Sequence, residues 1–244
     1  MKYLKIFGER NTGTNYLKGL ISLNLKVRLI EGGIPHKRGL LRNPFLFDQL
    51  YDLLYPGHLG WKHAFPDPQR IRQFKGYDET GLVTLTKNPY SFLLSLYKHP
   101  YHYKGNIPDN FSEFIRSRWH TLRRENCRKS HFENPVMLWN SKNRAYMALQ
   151  ESFPFRTVNL TYEKLIADPE DIIRHLGQFF DLESASDKFM NIHQSTKGSD
   201  KDFSAYREFY MHERWRDEIS PEDLGYISRF LDSSVTEYYG YQTL

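Results

Sequence analysis

The segment Ile6-Phe7-Gly8-Glu9-Arg10-Asn11-Thr12-Gly13-Thr14-Asn15-Tyr16-Leu17 sets the strongest limit on how this chain can fold. An apolar strand end runs into Gly8-x4-Gly13-Thr14-Asn15 and then into a segment with Leu17, Leu20 and Ile21 at helical spacing. Strand, glycine loop and helix in that order make a phosphate cradle. The glycines let the backbone fold tightly and turn successive N–H groups toward one point, and the helix beginning near Thr12 adds its terminal donors and the positive end of its dipole. The nucleotide triphosphatase version of such a loop has Lys directly after the second Gly, followed by Ser or Thr. Here these positions are Thr14 and Asn15, so the loop lacks the residues that reach β- and γ-phosphates and hold Mg²⁺. A nucleotide whose reaction needs no metal fits these residues better. The bland alternative is a strand-turn-helix whose glycines serve only the turn.

Two more strand-then-helix units follow. Residues 81–86 form a β-rich run ending at Lys87-Asn88-Pro89, and residues 90–99 carry Phe92, Leu93, Leu96 and Tyr97 at helical spacing. A strand over 155–161 precedes a helix over 168–180, opened by Asp168-Pro169 with acidic residues in its first turn. Between these units the pattern predicts a short helix over 44–54, a short strand over 60–65, a helix over 111–118 within an otherwise irregular stretch at 100–135, and a helix over 135–150. A final helix is expected over 220–239, begun by Ser220-Pro221-Glu222-Asp223. Repeated strand-then-helix order implies a parallel sheet covered on both faces. The expected fold is therefore α/β, one domain over residues 1–244, with a central parallel sheet flanked by helices and a P-loop-like nucleotide site.

At 244 residues with 39% hydrophobic and 16% aromatic content, the chain has the material for one large, aromatic-rich core. A net charge of +5 suits an anionic ligand or an acidic acceptor without demanding nucleic acid. Cys127 is the single cysteine, which excludes an internal disulfide and a cysteine-based zinc site and fits a reducing, cytoplasmic setting. No apolar run reaches the roughly 20 residues that span a bilayer, and no signal peptide is read at the start. The two N-x-S/T triplets at Asn110 and Asn159 are read as chance matches. Arg116, Arg118, Arg123, Arg124, Arg128 and Lys129, with Trp119 and His120 nearby, make a basic run that suits either a polyanion or a solvated helical face.

Four separated segments resemble one site, that of the sulfotransferases that use 3′-phosphoadenosine 5′-phosphosulfate (PAPS). Residues 8–15 are similar to that family's 5′-phosphosulfate loop, above all through Thr12-Gly13-Thr14-Asn15. Lys87-Asn88-Pro89-Tyr90, with Ser95 two helical turns on, resembles its 3′-phosphate loop. Tyr162-Glu163-Lys164-Leu165 followed by Asp168-Pro169 is similar to the strand-to-helix element whose Tyr contacts the adenine, and Lys197-Gly198 resembles the late basic-Gly segment over the 3′-phosphate. Lys62 and His63, in Gly60-Trp61-Lys62-His63-Ala64-Phe65-Pro66, look like the family's Lys and His near a Pro.

The resemblance implies sulfuryl transfer from PAPS to a hydroxyl or amine of a small-molecule or carbohydrate acceptor, without a metal. Arg10, Asn11, Thr12, Gly13, Thr14, Asn15, Lys87, Ser95, Tyr162, Lys197 and Gly198 are then the nucleotide-binding residues, and His63, Lys62 and Arg10 the catalytic ones. An imidazole with an ordinary pKa near 6.5 is apt for accepting the acceptor's proton. The chain departs from the family pattern at two positions. Asn11 stands where many relatives have Lys, leaving Arg10 and Lys62 as candidates to steady the leaving phosphate. Lys87 replaces the usual Arg, keeping the charge and losing the two-pronged fork. The rival readings are a nonenzymatic nucleotide- or polyanion-binding protein and, further off, a small-molecule kinase.

Overall fold

A computed structural model describes residues 1–33, 50, 58–193 and 202–244. β1 (Tyr3–Gly8) leads into α1 (Thr14–Asn24) and then β2 (Arg28–Ile30), which pairs with β1 in parallel. After the short helix α2 (Pro68–Arg72), β3 (Thr80–Thr86) lies parallel to β1 on its other side, with Gly8 opposite Leu85. α3 (Pro89–Lys98) and α4 (Phe111–Arg116) follow, then the two-residue antiparallel pair β4 (Trp119–His120) and β5 (His131–Phe132). α5 (Pro135–Ser152) leads to β6 (Thr157–Thr161), parallel to β3. The chain continues through α6 (Tyr162–Ala167), α7 (Pro169–Phe180), α8 (Phe203–Met211), α9 (Pro221–Phe230) and α10 (Ser233–Tyr239). The main sheet has the order β2-β1-β3-β6, all parallel, so the α/β architecture expected from the strand-helix alternation is the one observed.

Strand alternation distributes the core over both faces. Leu4, Ile6, Val83, Leu85, Val158 and Leu160 pack with α1 and α7, whereas Phe7 and Leu82 point the other way, toward Tyr146 and Leu149 of α5. A third cluster joins α3, α4, α5 and the C-terminal helices around Trp119, Trp139 and Trp215.

Several helix starts follow the expected chemistry. Asn88 caps α3 by accepting from the N–H groups of Tyr90 and Ser91, Asp168 caps α7, and Ser220 caps α9, each with Pro at the first helical turn. The Asn88 side chain thereby takes two of the peptide donors at the start of α3.

Other local expectations change as well. Residues 60–65 form a turn, with Gly60 at φ 95° and the Ala64 N–H bonded to the Trp61 carbonyl, and the strand beside β1 is instead β2. The single helix expected over 220–239 is two helices, since Leu231 is extended and Asp232 caps α10. α6 and α8 were not anticipated from the pattern. The helix expected over 44–54 lies outside the described residues apart from Leu50, and Lys197 and Gly198 also lie outside them.

Candidate active site

The first loop leaves β1 at the carboxyl edge of the sheet, where open α/β folds hold ligands. A Cβ on Gly8 would come within 2.5 Å of Thr14 and 2.8 Å of the Leu85 carbonyl, so the turn requires glycine there. Asn11 adopts the left-handed conformation at φ 61°, which Asn tolerates better than most residues, and its side chain donates to the His99 carbonyl at 2.9 Å. Thr12 closes the turn by donating its hydroxyl to the Glu9 carbonyl at 2.6 Å. Gly13, at φ 88°, is the N-cap of α1 and offers no side-chain acceptor, so the first turn of α1 has no side-chain cap. That is the geometry in which helix donors and dipole act on an anion.

Gly13 also faces Tyr162, whose ring would be only 2.6 Å from a Cβ at that position. Gly13→Ala is therefore expected to combine a strained backbone with a ring clash, costing about 1–3 kcal/mol. Gly105 has a similar positive φ of 99° with nothing within 4 Å of its would-be Cβ. Urea unfolding of Gly13→Ala beside Gly105→Ala separates the clash from the backbone cost, and equal losses would remove the Tyr162 contact from the account.

Lys62 and His63 come to this loop from the turn at 60–65. The Gly8 N–H donates to the Lys62 carbonyl at 2.9 Å, and Lys62 N–H in turn donates to Gly32 at 2.7 Å. The Lys62 ammonium reaches Asn15 Oδ1 at 2.6 Å, so a lysine from a distant segment stands at the start of α1. Burial and the nearby Lys18 lower its pKa. A cleft beside it is lined by Thr14, Asn15, Lys18, Glu31, Gly32 and Lys62.

His63 is buried, with its Nδ1 2.5 Å from the Gly8 carbonyl oxygen. A carbonyl oxygen only accepts, so Nδ1 carries the hydrogen and Nε2 keeps the lone pair. Desolvation, with Lys62 adding to it, holds the His63 pKa well below its ordinary value, and the imidazole is neutral at pH 7.

Arg10 is placed differently from a residue facing a ligand. Its guanidinium is 1% exposed, bonded to Glu9 at 2.6 Å and to Glu125, and stacked between Trp61 and Trp119. Lys142, fully buried, joins the same cluster through Glu9 at 3.3 Å and donates to the His63 carbonyl. The two cations hold the Glu9 carboxyl down to about 2, and the two carboxylates push Arg10 upward. Arg10 thus belongs to an ion cluster beneath the loop, and of the two candidate cations only Lys62 reaches the start of α1.

Lys87 and Ser95 meet on the far side of Tyr162. The Lys87 ammonium donates to Ser95 Oγ at 2.8 Å, and both residues are buried. The ammonium lies 5.0 Å from the centre of the Tyr162 ring and 3.8 Å from that of Tyr210 on α8. Burial lowers its pKa to about 7, against a partly compensating pull from Glu163. Glu163 itself accepts from the Asn88 N–H at 3.0 Å and the Tyr241 hydroxyl at 2.8 Å.

No protein-family model matches the sequence, and no curated protein does. Solved structures do. The sulfotransferase domain from the curacin biosynthetic pathway superposes with a TM-score of 0.53 at 12% identity, over 100% of this chain and 99% of that one. A sulfotransferase from Alicyclobacillus acidocaldarius gives 0.52 at 13% identity, over 99% and 97%. The sulfotransferase domain of the Synechococcus PCC 7002 olefin synthase gives 0.50 at 13%, over 99% and 94%. This chain has the sulfotransferase fold.

Within that fold, residues 8–15, Lys62, His63, Lys87, Ser95 and Tyr162 gather around the carboxyl ends of β1, β3 and β6. Glu9, Glu125, Lys142, Glu163 and Tyr210 complete their surroundings; Glu9 and Glu163 lie within the sequence motifs without a role there, and the other three lie outside them. Lys5 was also missed. It is fully buried in β1, where its ammonium donates to the Glu31 and Gly60 carbonyls and so anchors the turn that carries Lys62 and His63. A lysine on an alternating strand between Leu4 and Ile6 was the available signal.

The basic run at 116–129 is not one helical face. Arg116 pairs with Asp223 and Glu222, and Arg124 lies buried 4.2 Å from the centre of the Trp61 ring. No helix among the described residues is long and apolar enough to cross a membrane, and no group of three or more potential metal-holding side chains occurs among them.

Proposed function

We propose that this protein transfers a sulfuryl group from PAPS to a hydroxyl or amine of a small acceptor. The observation that carries the reading is the presence of two unlike positions suited to an anion on either side of Tyr162. One is the start of α1 at Gly13, which has no side-chain cap. The other is the buried Lys87 bonded to Ser95. A nucleotide bearing a phosphosulfate at its 5′ end and a phosphate at its 3′ position would present one anionic group to each, with its ribose spanning the two beside Tyr162. The fold shared with three sulfotransferases supports the same reading.

In the proposed step the acceptor oxygen or nitrogen attacks sulfur as the bond from sulfur to the bridging 5′-phosphate oxygen breaks. His63 accepts the acceptor's proton at Nε2, the nitrogen left basic by the bond from Nδ1 to Gly8. Lys62 and the loop N–H groups stabilise charge on the sulfuryl oxygens and on the departing phosphate, and 3′,5′-ADP leaves. Positioning and fixed donors carry most of the catalysis, because the mixed anhydride already has a good leaving group. The kinase reading loses support at Asn15: where a metal-holding hydroxyl would stand, an amide oxygen lies 2.6 Å from an ammonium group.

The test is incubation with PAPS and a panel of alcohols, phenols, amines and sugars, read by mass spectrometry for an added sulfo group. In parallel, 3′,5′-ADP should raise the melting temperature, as a ligand specific to the native state must. A preference for ATP·Mg²⁺ over 3′,5′-ADP, with no sulfo transfer, would overturn the proposal.

Lys87→Ala gives a sharper check on the 3′ end. Losing a charge-assisted bond should weaken 3′,5′-ADP binding by roughly 10- to 100-fold while leaving 5′-AMP unaffected. Equal losses for both ligands in calorimetry would place Lys87 elsewhere in the binding scheme.

A further inference from the structure

α5 (Pro135–Ser152) touches both ends of the candidate site with side chains one helical turn apart. Trp139 donates its indole N–H to the Lys87 carbonyl at 2.9 Å, and Lys142, fully buried, donates to the His63 carbonyl. The Lys142 ammonium also reaches the Glu9 carboxylate at 3.3 Å and lies 4.1 Å from the centre of the Phe65 ring. The two peptide groups that flank the His63 Cα are each pinned from outside the turn at 60–65. The Lys62 carbonyl before it accepts from the Gly8 N–H at 2.9 Å, and the His63 carbonyl after it accepts from Lys142. The imidazole is held at a third point, from Nδ1 to the Gly8 carbonyl. Two of these three points belong to one residue, Gly8, and define an axis about which the ring can still swing; the contact from Lys142 removes that freedom. Glu9, next to Gly8 in the chain, holds the ammonium that makes the contact, so base, loop and helix close one circuit.

We infer that Lys142 is a positioning residue for proton transfer: by fixing the peptide that follows His63 it aims Nε2 at the acceptor, and α5 keeps that aim in register with the nucleotide end through Trp139. The inference rests on the sulfuryl-transfer reading given above and extends it to a helix that the sequence motifs leave out. Lys142 touches no reacting atom. A misplacement of about 1 Å in a reacting group can nevertheless cost on the order of 10²-fold in rate, so a contact to the backbone of the base governs turnover without governing nucleotide affinity.

The experiment uses Lys142→Met together with Glu9→Gln, because the single lysine change strands a carboxylate in the interior and the paired change does not. Glu9→Gln alone is the reference, and melting temperatures establish that both proteins are folded. Relative to that reference, the double variant is expected to lose about 10- to 100-fold in kcat for transfer from PAPS, while 3′,5′-ADP binding by calorimetry stays within about two-fold. The His63 Nδ1–H, assigned by its absence from His63→Ala, is expected to give a sharp downfield proton resonance in the reference and a broadened or lost one in the double variant. An unchanged resonance, or turnover equal to the reference, would overturn the inference. Equal losses of turnover and 3′,5′-ADP binding would also overturn it, by showing a general loosening. If the wild type transfers no sulfo group from PAPS, the reading beneath fails instead, and the resonance alone decides whether Lys142 places His63.

Discussion

His63→Ala is expected to lower the proposed sulfuryl transfer by about 10²–10⁴-fold, the usual contribution of a positioned general base, while 3′,5′-ADP binding is expected to stay within about two-fold of the wild type. The separation is expected because the Lys87-Ser95 pair and the start of α1 are built from other segments, and the ring's hydrogen bond to the loop goes to the Gly8 carbonyl. The pH dependence carries a second signature. Burial penalises the imidazolium, so the proton is lost at a lower pH than from an exposed histidine, and the ring is ready to accept a proton through the neutral and mildly acidic range. The acid limb of the rate profile should therefore fall below pH 6.5. Turnover unaffected by His63→Ala would remove the residue from proton transfer, and an acid limb above pH 7 would contradict its environment.

Arg10→Met is expected to cost about 3–5 kcal/mol of stability, because it strands Glu9 and Glu125 in the interior without their common cation. For a chain of this size that lowers the melting temperature by roughly 10 °C. Removing a carboxylate as well should recover part of the loss, so the double variant Arg10→Met with Glu125→Met is expected to be more stable than the sum of the single changes allows. Strict additivity in thermal or urea unfolding would show that the cluster is not an interacting unit. Lys142 keeps one cation beside Glu9, so the outcome weighs chiefly the Arg10-Glu125 pair.

What could be read in the sequence was local. Gly8, Gly13 and Thr14 belong to one continuous loop, and Lys87 and Ser95 are separated by two turns of a single helix, so spacing alone brought each set together. The surroundings of Arg10 were not readable in this way. Glu125 lies 115 residues further along the chain, in a 3₁₀ turn with no periodicity of its own, and Lys142 sits on an inner face of α5 that spacing assigns to apolar residues. Tyr210 lies on a helix whose Phe203, Tyr206 and Tyr210 recur at helical spacing, but no motif links that helix to the site. β2 is three residues long and partly exposed, too short for alternation to register, whereas the longer 60–65 stretch, which reads as a strand in the sequence, is a turn. The break between α9 and α10 did have a local sign in Asp232-Ser233-Ser234, a cap sequence lying inside what otherwise reads as one helix.

The contrast between the two helix starts has a consequence for how the site meets its ligand. At α1 the donors are peptide groups, which keep their hydrogens at every physiological pH; at α3 Asn88 has used the peptide donors, and a titrating ammonium with a pKa of about 7 stands in for them. On the proposed reading one end of the site is a fixed clasp and the other takes part in proton linkage: a phosphate beside Lys87 would favour its ammonium form, so binding at that end should draw in a proton and weaken as the medium turns alkaline, while binding at the loop should not follow pH.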